Sequence, residues 1–173
     1  MPAVLSFDVG IRNLAYCLVE GEQGSPRVLK WDVLDVHAKD IEAMSSKLVG
    51  VLYDLFAEDD ISQVLIENQP VMKNPTMKSV QMIIYSFFIC TRELGMSSIG
   101  RVGLVPASCK NKFCEKVLAE EAPDESPASY ARNKRRAVQT TRKLVPEAWR
   151  AYFEAHKKKD DLADAFLQAL CKM

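Results

Sequence analysis

Residues 3–36, AVLSFDVGIRNLAYCLVEGEQGSPRVLKWDVLDV, contain the pattern that decides the fold. At the start of this stretch, Leu5, Phe7 and Val9 alternate with residues of the opposite face, which is the period of a strand with one face in a core. Turn-forming residues then separate two further strand-like runs. The predicted strands cover residues 3–9, 14–20 and 27–36, with turns at 10–13 and 21–26. Together they predict an antiparallel meander.

The rest of the chain alternates between helical and strand-like patterns. The predicted elements are a helix over 40–57, a strand over 61–66, a helix over 75–94, a strand over 99–106 and helices over 108–120, 130–144, 146–156 and 160–172. Pro75 and Gly95 delimit the longest helix, as expected of a proline at a first helical position and a glycine just past the end. This order predicts one α/β domain over residues 1–173. Its five-stranded mixed sheet would hold three antiparallel strands and then two parallel ones, flanked by helices.

The composition is that of a globular protein, but its charge is unevenly distributed. The 173 residues are 48% hydrophobic and 27% charged, with a net charge of zero. The net charge is −7 over residues 1–69, +2 over 70–100, +7 over 101–159 and −2 over 160–173. A basic later half is compatible with a polyanionic partner.

The cysteines indicate a reducing compartment. There are five, an odd number with no CxxC spacing, and only His37 and His156 are available to complete a zinc site. No secretory leader is evident, and the longest apolar stretch, residues 82–90, is far shorter than the ~20 residues that a bilayer span needs. We therefore expect an intracellular protein without a membrane partner.

Four carboxylates lie where the sheet and the last helix would bring them together. Asp8 is on the polar face of the first strand, and Glu67 follows the apolar fourth strand, where an unpartnered acid is expensive. Asp161 and Asp164 are three residues apart and share one face of the last helix. Two carboxylates about 4 Å apart repel by roughly 4 kcal/mol at an effective dielectric of about 20, so the cluster needs a cation, a shared proton or a basic group. Carboxylates from separate elements suit Mg²⁺.

Each acid also has a purely structural explanation. Asp8 stands before Gly10 and suits a turn, and Glu67 can end a strand. Asp160 and Asp161 suit the N-cap and first turn of the last helix. Taken together on this order of elements, the four acids favour a metal site.

The sequence resembles a known family in four places. These are SFDVGIRNLAY (6–16), VLIENQP (64–70) with KNPTMKSVQ (73–81), ARNKRRAV (131–138) and KKKDDLADAF (157–166). They are similar to RuvC-type Holliday-junction resolvases, in particular to the branch found in poxviruses and other large DNA viruses, which is related to the fungal mitochondrial resolvases. The resemblance extends from residue 4 to about residue 170 and implies a ribonuclease-H-like fold.

The resemblance also implies an activity and its site. It implies a dimeric crossover-junction endonuclease that makes paired nicks in four-way DNA during recombination and repair, without an organic cofactor. Its metal-binding acids match Asp8, Glu67, Asp161 and Asp164, which would hold two Mg²⁺ ions, with Mn²⁺ as a substitute. Asp160 leaves the choice within the acidic pair open, and the spacing to Asp164 favours Asp161. A viral member would act in the host cytoplasm or replication factory, and a mitochondrial location is the alternative.

Basic residues are the predicted contacts to DNA. The resemblance implies one near the scissile phosphate in SCKNKF (108–113), where Lys110 and Lys112 both fit, and we favour Lys112 as the catalytic lysine. Basic clusters beside the acidic site favour phosphate contact. The predicted DNA-binding residues are Lys73, Lys78, Lys110, Lys112, Arg132, Lys134, Arg135, Arg136 and Lys158.

The helix over 75–94 carries more apolar surface than one core-facing stripe requires. It is either a central core helix, or it packs on the core with one face and on a twofold partner with another. Because a junction presents two strands related by approximate symmetry, we expect a homodimer with two sites. The pairs expected on the outward face are Tyr85 with Phe88, or Ile84 with Phe87.

Three other classes compete with a junction nuclease. A nuclease of the same fold acting on RNA or an RNA–DNA hybrid would contact 2′-hydroxyls, and activity on hybrids would identify it. A non-catalytic junction-binding module is disfavoured by acids at all four positions. An ATP-binding domain of the actin and sugar-kinase type shares the D-x-G turn but needs a second Gly-rich loop and a duplicated domain. The chain has seven glycines and no repeat.

Overall fold

A computed structural model describes residues 3–72, 74–119 and 130–173. Its elements are β1 (Ala3–Asp8), β2 (Leu14–Glu22), β3 (Ser25–Leu34), α1 (Ile41–Phe56), β4 (Ile61–Glu67), α2 (Pro75–Glu93), β5 (Ile99–Val105), α3 (Ser108–Leu118), α4 (Tyr130–Leu144), α5 (Glu147–Ala155) and α6 (Lys159–Leu170). The strand order is β3-β2-β1-β4-β5. The first three strands pair antiparallel, and β1–β4 and β4–β5 pair parallel, so the predicted fold class is confirmed. None of the described helices has the length and apolarity that a bilayer span requires.

The sheet separates two apolar cores, and the alternation in β1 assigns its residues to them. Phe7 belongs to the core with α1 and α2, whereas Val4 belongs to the core with α6. The hydroxyl of Ser6 donates to the carbonyl of Ala165 in α6 at 2.5 Å. Since successive residues of a strand alternate faces, Asp8 follows on the same face as Val4 and Ser6. The period of β1 thus turns this acid toward α6.

Both ends of α2 form as the proline and glycine predict. The side chain of Asn74 caps the first turn by accepting from the N–H of Met77 at 3.1 Å. At the other end Gly95 has a φ of +65°, and the N–H of Met96 donates to the carbonyl of Thr91 at 2.9 Å. This is the Schellman arrangement, in which a left-handed residue closes the helix and satisfies its last carbonyls.

The turn predicted over residues 21–26 is wrong in extent. The β2–β3 ladder continues through Gly21–Pro26 and Glu22–Ser25, which leaves only residues 23 and 24 in the loop. A proline is tolerated there because β3 is an edge strand. No strand on its outer side requires the backbone N–H that proline lacks.

The expected outward face of the long helix is wrong in part. Ile84 and Phe88 are fully buried, and Phe88 packs 5.8 Å from Phe7 between ring centroids. Tyr85 and Phe87 are half-buried and pack against the same core. A helix apolar on most sides offers no unique stripe, so the sequence pattern does not identify its buried face.

Removing the Phe88 ring should destabilise the fold strongly. We expect Phe88→Ala to lower the free energy of unfolding by about 3–5 kcal/mol, because the ring is fully buried and a cavity remains. Leu104 on β5 is 40% exposed, and Leu104→Ala should change the same quantity by less than about 1 kcal/mol. Urea denaturation at equal protein concentration measures both, and similar losses in the two variants would contradict the assignment of the core.

Candidate active site

Two acids meet at the carboxyl edge of the sheet. β1 and β4 are adjacent and parallel, with Phe7 opposite Ile66, and each strand ends in a carboxylate. The side chains of these residues, Asp8 and Glu67, are close enough to shift each other's pKa. In open α/β sheets, ligands bind outside the carboxyl ends of the strands, which is where this pair lies.

Helix α6 brings a third acid to the same edge. The buried amide of Gln168 donates to the carbonyl of Phe7 at 3.1 Å and to that of Leu65 at 3.3 Å, so it ties the helix to both central strands. Asp164 lies one turn earlier on the same helical face. Ala163 on one side of it is fully buried. A small side chain at that position lets the helix backbone approach the sheet closely.

The ammonium of Lys110 stands among these three acids. Its Nζ lies 2.7 Å from Asp164 Oδ2, 3.2 Å from Glu67 Oε1 and 3.7 Å from Asp8 Oδ1. The lysine side chain is 8% exposed, so these interactions are weakly screened by water. One ammonium thus neutralises part of the charge of three converging carboxylates.

The structure reverses the preference between the two candidate lysines. Lys110 reaches the acids, whereas Lys112 is exposed. The buried residues of α3 are Lys110, Cys114 and Leu118, which repeat every four residues along one face. Lys112 is two positions away and projects from nearly the opposite side of the helix. The apolar partners at four and eight residues were the signal in the sequence that favoured Lys110.

The acids and the lysine shift each other's pKa values. Burial raises the pKa of Asp8 well above its ordinary value, even though Lys110 lowers it. Burial also acts on Glu67, but its hydrogen bond with Asp8 and the nearby Lys110 outweigh burial and lower its pKa. The pKa values of the two carboxyls therefore shift in opposite directions. For Lys110 the three carboxylates outweigh burial and raise the pKa, so the amine stays charged.

The two adjacent aspartates at the start of α6 face different partners. Asp161 lines the same pocket as Asp8, Glu67 and Asp164. Burial and the neighbouring carboxylate of Asp160 raise the pKa of Asp161. Asp160 instead pairs with the ammonium of Lys134 on α4. The structure thus groups Asp161, which the spacing favoured, with the acid cluster. Asp160 has a separate partner.

The cluster opens into a polar pocket of about 610 Å³. Sequence analysis did not identify its amide, arginine and tyrosine side chains, because isolated polar residues in loops and first turns carry no periodic signal. These additional lining residues are Arg12, Asn13, Gln69, Asn74, Asn111, Tyr130 and Asn133. Gln69 donates from Nε2 to Glu67 Oε2 at 2.9 Å and thereby fixes the orientation of that carboxylate. The pocket can hold a charged polar group of substrate size against the acids.

Lys110 lies at the centre of the acid cluster, where its three carboxylate partners meet. Among the described residues, no group of three or more His, Cys, Asp or Glu side chains is arranged to hold a metal ion. The donors are nevertheless of the right kind, because carboxylates from β1, β4 and α6 approach one point within 4 Å, where Lys110 lies. Hard oxygen ligands of this type suit Mg²⁺.

The predicted DNA-binding residues lie at different distances from this pocket. Lys134 lines it, and Lys78 lies nearby with its Nζ 3.2 Å from Asn68 Oδ1. Arg136 pairs with Glu115 at 3.7 Å. Arg132 is half-buried on α4 and has partners within the protein. Arg135 and Lys158 are exposed, and Lys73 lies outside the described residues.

The fold and the acidic edge define a RuvC-like α/β protein. Three solved structures share this fold. The yeast mitochondrial Holliday junction resolvase Ydc2 matches at a TM-score of 0.70 and 17% identity, covering 98% of this chain and 78% of that one. The fowlpox virus Holliday junction resolvase matches at 0.66 and 15%, covering 99% and 96%. Thermus thermophilus RuvC, solved with a Holliday junction substrate, matches at 0.59 and 18%, covering 98% and 91%.

The family follows from the sequence match over residues 4–132. This stretch matches the model of the family described as mitochondrial resolvase Ydc2 / RNA splicing MRS1, and the chain belongs to that family. A curated relative, an uncharacterized protein of Acanthamoeba polyphaga mimivirus, is 33% identical over 120 residues, which are 65% of this chain. The match spans 29% of that relative's length.

Replacing Asp8 should stabilise the protein in the absence of added metal. A carboxyl whose pKa is raised on folding binds more protons in the folded state, so stability falls as pH rises from the unfolded pKa to the folded one. Asp8→Asn removes this loss, and we expect the melting temperature at pH 7 with chelator to rise by about 3 °C or more. The gain should shrink at pH 4, close to the ordinary pKa of an unfolded aspartate, because little of the loss has accumulated there.

Thermal unfolding at the two pH values measures this difference. The exposed Asp54 on α1 provides the control, because Asp54→Asn should leave the melting temperature nearly unchanged at both. A lower melting temperature for Asp8→Asn at pH 7 would contradict the assigned direction of the Asp8 pKa.

Proposed function

We propose that the protein is a structure-selective endodeoxyribonuclease that resolves four-way DNA junctions and depends on Mg²⁺, for which Mn²⁺ substitutes. The observation that carries this proposal is the convergence of Asp8, Glu67 and Asp164 on one point at the floor of an open polar pocket. Membership of a resolvase family and the shared fold support it.

Four acids would hold the metal. Asp8, Glu67 and Asp164 surround the point where Lys110 lies, and Asp161 lines the same pocket. Such a donor set accommodates two ions in the two-metal form of phosphodiester hydrolysis. When bound, Mg²⁺ supplies charge that stabilises the pentacovalent phosphate and makes water more acidic.

The chain's own residues position the substrate and its protons. The Lys110 ammonium stays charged, lines the pocket and can donate to a phosphate oxygen that enters it. Gln69 holds the Glu67 carboxylate in one orientation. Because this carboxylate is oriented before substrate arrives, little reorganisation of it is needed when the phosphate binds.

Basic residues beside the pocket supply the affinity for branched DNA. Lys134 lines the pocket, Lys78 lies beside Asn68, and the exposed Arg135 extends the basic surface along α4. Phosphate contacts of this kind carry no base sequence, so selectivity comes from the shape of the junction. The solved relatives named as Holliday junction resolvases support this substrate for the present chain.

The family description gives a second candidate function. It includes RNA splicing beside resolution, so RNA or an RNA–DNA hybrid is the alternative ligand of this pocket. A non-catalytic junction-binding module is the other alternative. The buried acid cluster favours the nuclease over the binding module, because three acids that share one ammonium are costly to keep in a site that does no chemistry.

An exposed apolar groove supports a homodimer. It runs between α1 and α2, and six of the ten large apolar side chains that are exposed among the described residues line it. These are Ile41, Val49, Tyr53, Met82, Leu94 and Met96. A second copy packed on this face would bury them and hold two acidic sites at a fixed separation, as paired nicks in a junction require.

Neutralising Glu67 should separate cleavage from binding. We expect Glu67→Gln to reduce Mg²⁺-dependent cleavage of a labelled four-way junction by about 1,000-fold, while junction binding in chelator stays within about threefold of wild type. The reason is that the substitution removes one metal-binding charge and leaves the basic surface intact. A Glu67→Gln protein that cleaves at the wild-type rate would contradict the site.

Two further experiments test the role of the lysine and the identity of the substrate. Lys110→Met should reduce cleavage as Glu67→Gln does, whereas Lys112→Met should cleave normally and serves as the matched control. Linear duplex and RNA–DNA hybrid are assayed beside the junction. Preferential cleavage of the hybrid, or cleavage that persists in excess chelator, would overturn the proposed substrate or the proposed metal.

Charge in the apolar groove should disrupt the dimer. Met82 lies in the groove at 41% exposure, and Leu104 lies outside it at 40%, so the two glutamate substitutions are matched. We expect wild type and Leu104→Glu to sediment as dimers at micromolar concentration and Met82→Glu as a monomer, because the interface would bury an unpaired charge. A monomeric wild type, or dimeric Met82→Glu, would contradict this interface.

A further inference from the structure

An aromatic ring is exposed at the rim of the acidic pocket. Tyr130 is 77% exposed, and it lines the pocket together with Asp161 and Asp164. It lies at the start of α4, the helix that also carries the basic residues beside the site. An aromatic face open to solvent next to a phosphate-binding pocket is the arrangement that proteins use to stack nucleobases.

The ring is held in place by a basic and an acidic residue. Lys134, one helical turn later, places its ammonium 4.9 Å from the centroid of the Tyr130 ring, within the range of a cation–π interaction. The same ammonium pairs with Asp160 at the start of α6. Asp160, Lys134 and Tyr130 therefore form a connected chain from the last helix to the pocket rim.

This chain explains the acid that the metal cluster does not use. Asp160 lies next to Asp161, yet it is absent from the lining of the pocket and its carboxylate is turned to Lys134. Its negative charge keeps the Lys134 ammonium in one position, and that position supports the ring from one side. The exposed remainder of the ring is left available for contact.

We propose that Tyr130 stacks on a nucleobase next to the scissile phosphate, with Lys134 and Asp160 as positioning residues for its ring. The inference rests on the proposed function, because it takes the substrate to be DNA that enters the acidic pocket. At the branch point of a junction, bases are less constrained by stacked neighbours and can turn toward a protein ring. Stacking tolerates any base, so this contact adds affinity at the branch without dictating sequence.

The test pairs protein variants with junctions that lack one base. Each junction carries a single abasic nucleotide at one of the positions within two nucleotides of the cut, and binding is measured in chelator so that no cleavage occurs. For wild type, we expect loss of the stacked base to weaken binding about tenfold at one position. Tyr130→Ala should weaken binding to the intact junction by a similar factor. This variant should bind that abasic junction no more weakly than it binds the intact one.

Other variants separate stacking from charge and folding. Tyr130→Phe keeps the ring and should retain the wild-type ratio of intact to abasic affinity. Arg135→Ala, on the exposed face of the same helix, should weaken binding to both junctions equally. Asp160→Asn removes a negative charge near DNA, so its overall affinity should not fall, but its ratio of intact to abasic affinity should move toward one.

Two results would overturn the inference, and neither is the failure of the proposed function. One is a Tyr130→Ala protein that binds the intact junction as wild type does. The other is that, at every abasic position, Tyr130→Ala and the missing base weaken binding additively. Additive losses of affinity would mean that ring and base do not interact. If wild type binds no junction at all while remaining folded, the proposed function fails instead.

Discussion

A buried ammonium surrounded by carboxylates is the constraint on which the rest of this structure depends. Asp8, Glu67 and Asp164 repel each other in an environment with little water, and Lys110 offsets that repulsion within 4 Å of all three. Four separate elements, β1, β4, α3 and α6, must therefore end or begin at one point. The two apolar cores on either side of the sheet stabilise this arrangement, in which one ammonium only partly offsets three carboxylates.

The last helix is placed by polar contacts as well as by apolar packing. Ser6, Trp31 and Gln168 each make a buried hydrogen bond between the sheet and α6, through partners at Ala165, Leu162 and the two central strands. Apolar contacts alone allow a helix to slide along a sheet, whereas these bonds have one register in which all are satisfied. Since Asp164 lies between these residues on α6, the register of the helix also determines the position of this acid.

The sequence contained most of the fold and part of the site. Alternation in β1 predicted the face of Asp8, and the order of strands and helices predicted the sheet, because both depend on local periodicity. The sequence-based preference for Lys112 did not use the period of the buried face of α3, which places Lys110 among the acids. Placing Phe88 outside was wrong because an almost uniformly apolar helix does not identify its own buried side. Gln168 was missed because its partners are backbone carbonyls more than 100 residues away.

The hydrogen bond between Ser6 and Ala165 joins residues 159 positions apart. During synthesis on the ribosome, β1 emerges before the other elements described here and α6 follows them, so this contact closes one of the longest loops in the fold. Contacts between such distant segments slow folding, because the entropic cost of closing the loop must be overcome before they form. A nascent chain therefore carries Asp8 and Glu67 at an open sheet edge without the third acid. The complete pocket can therefore form only after the polypeptide has been synthesised through α6.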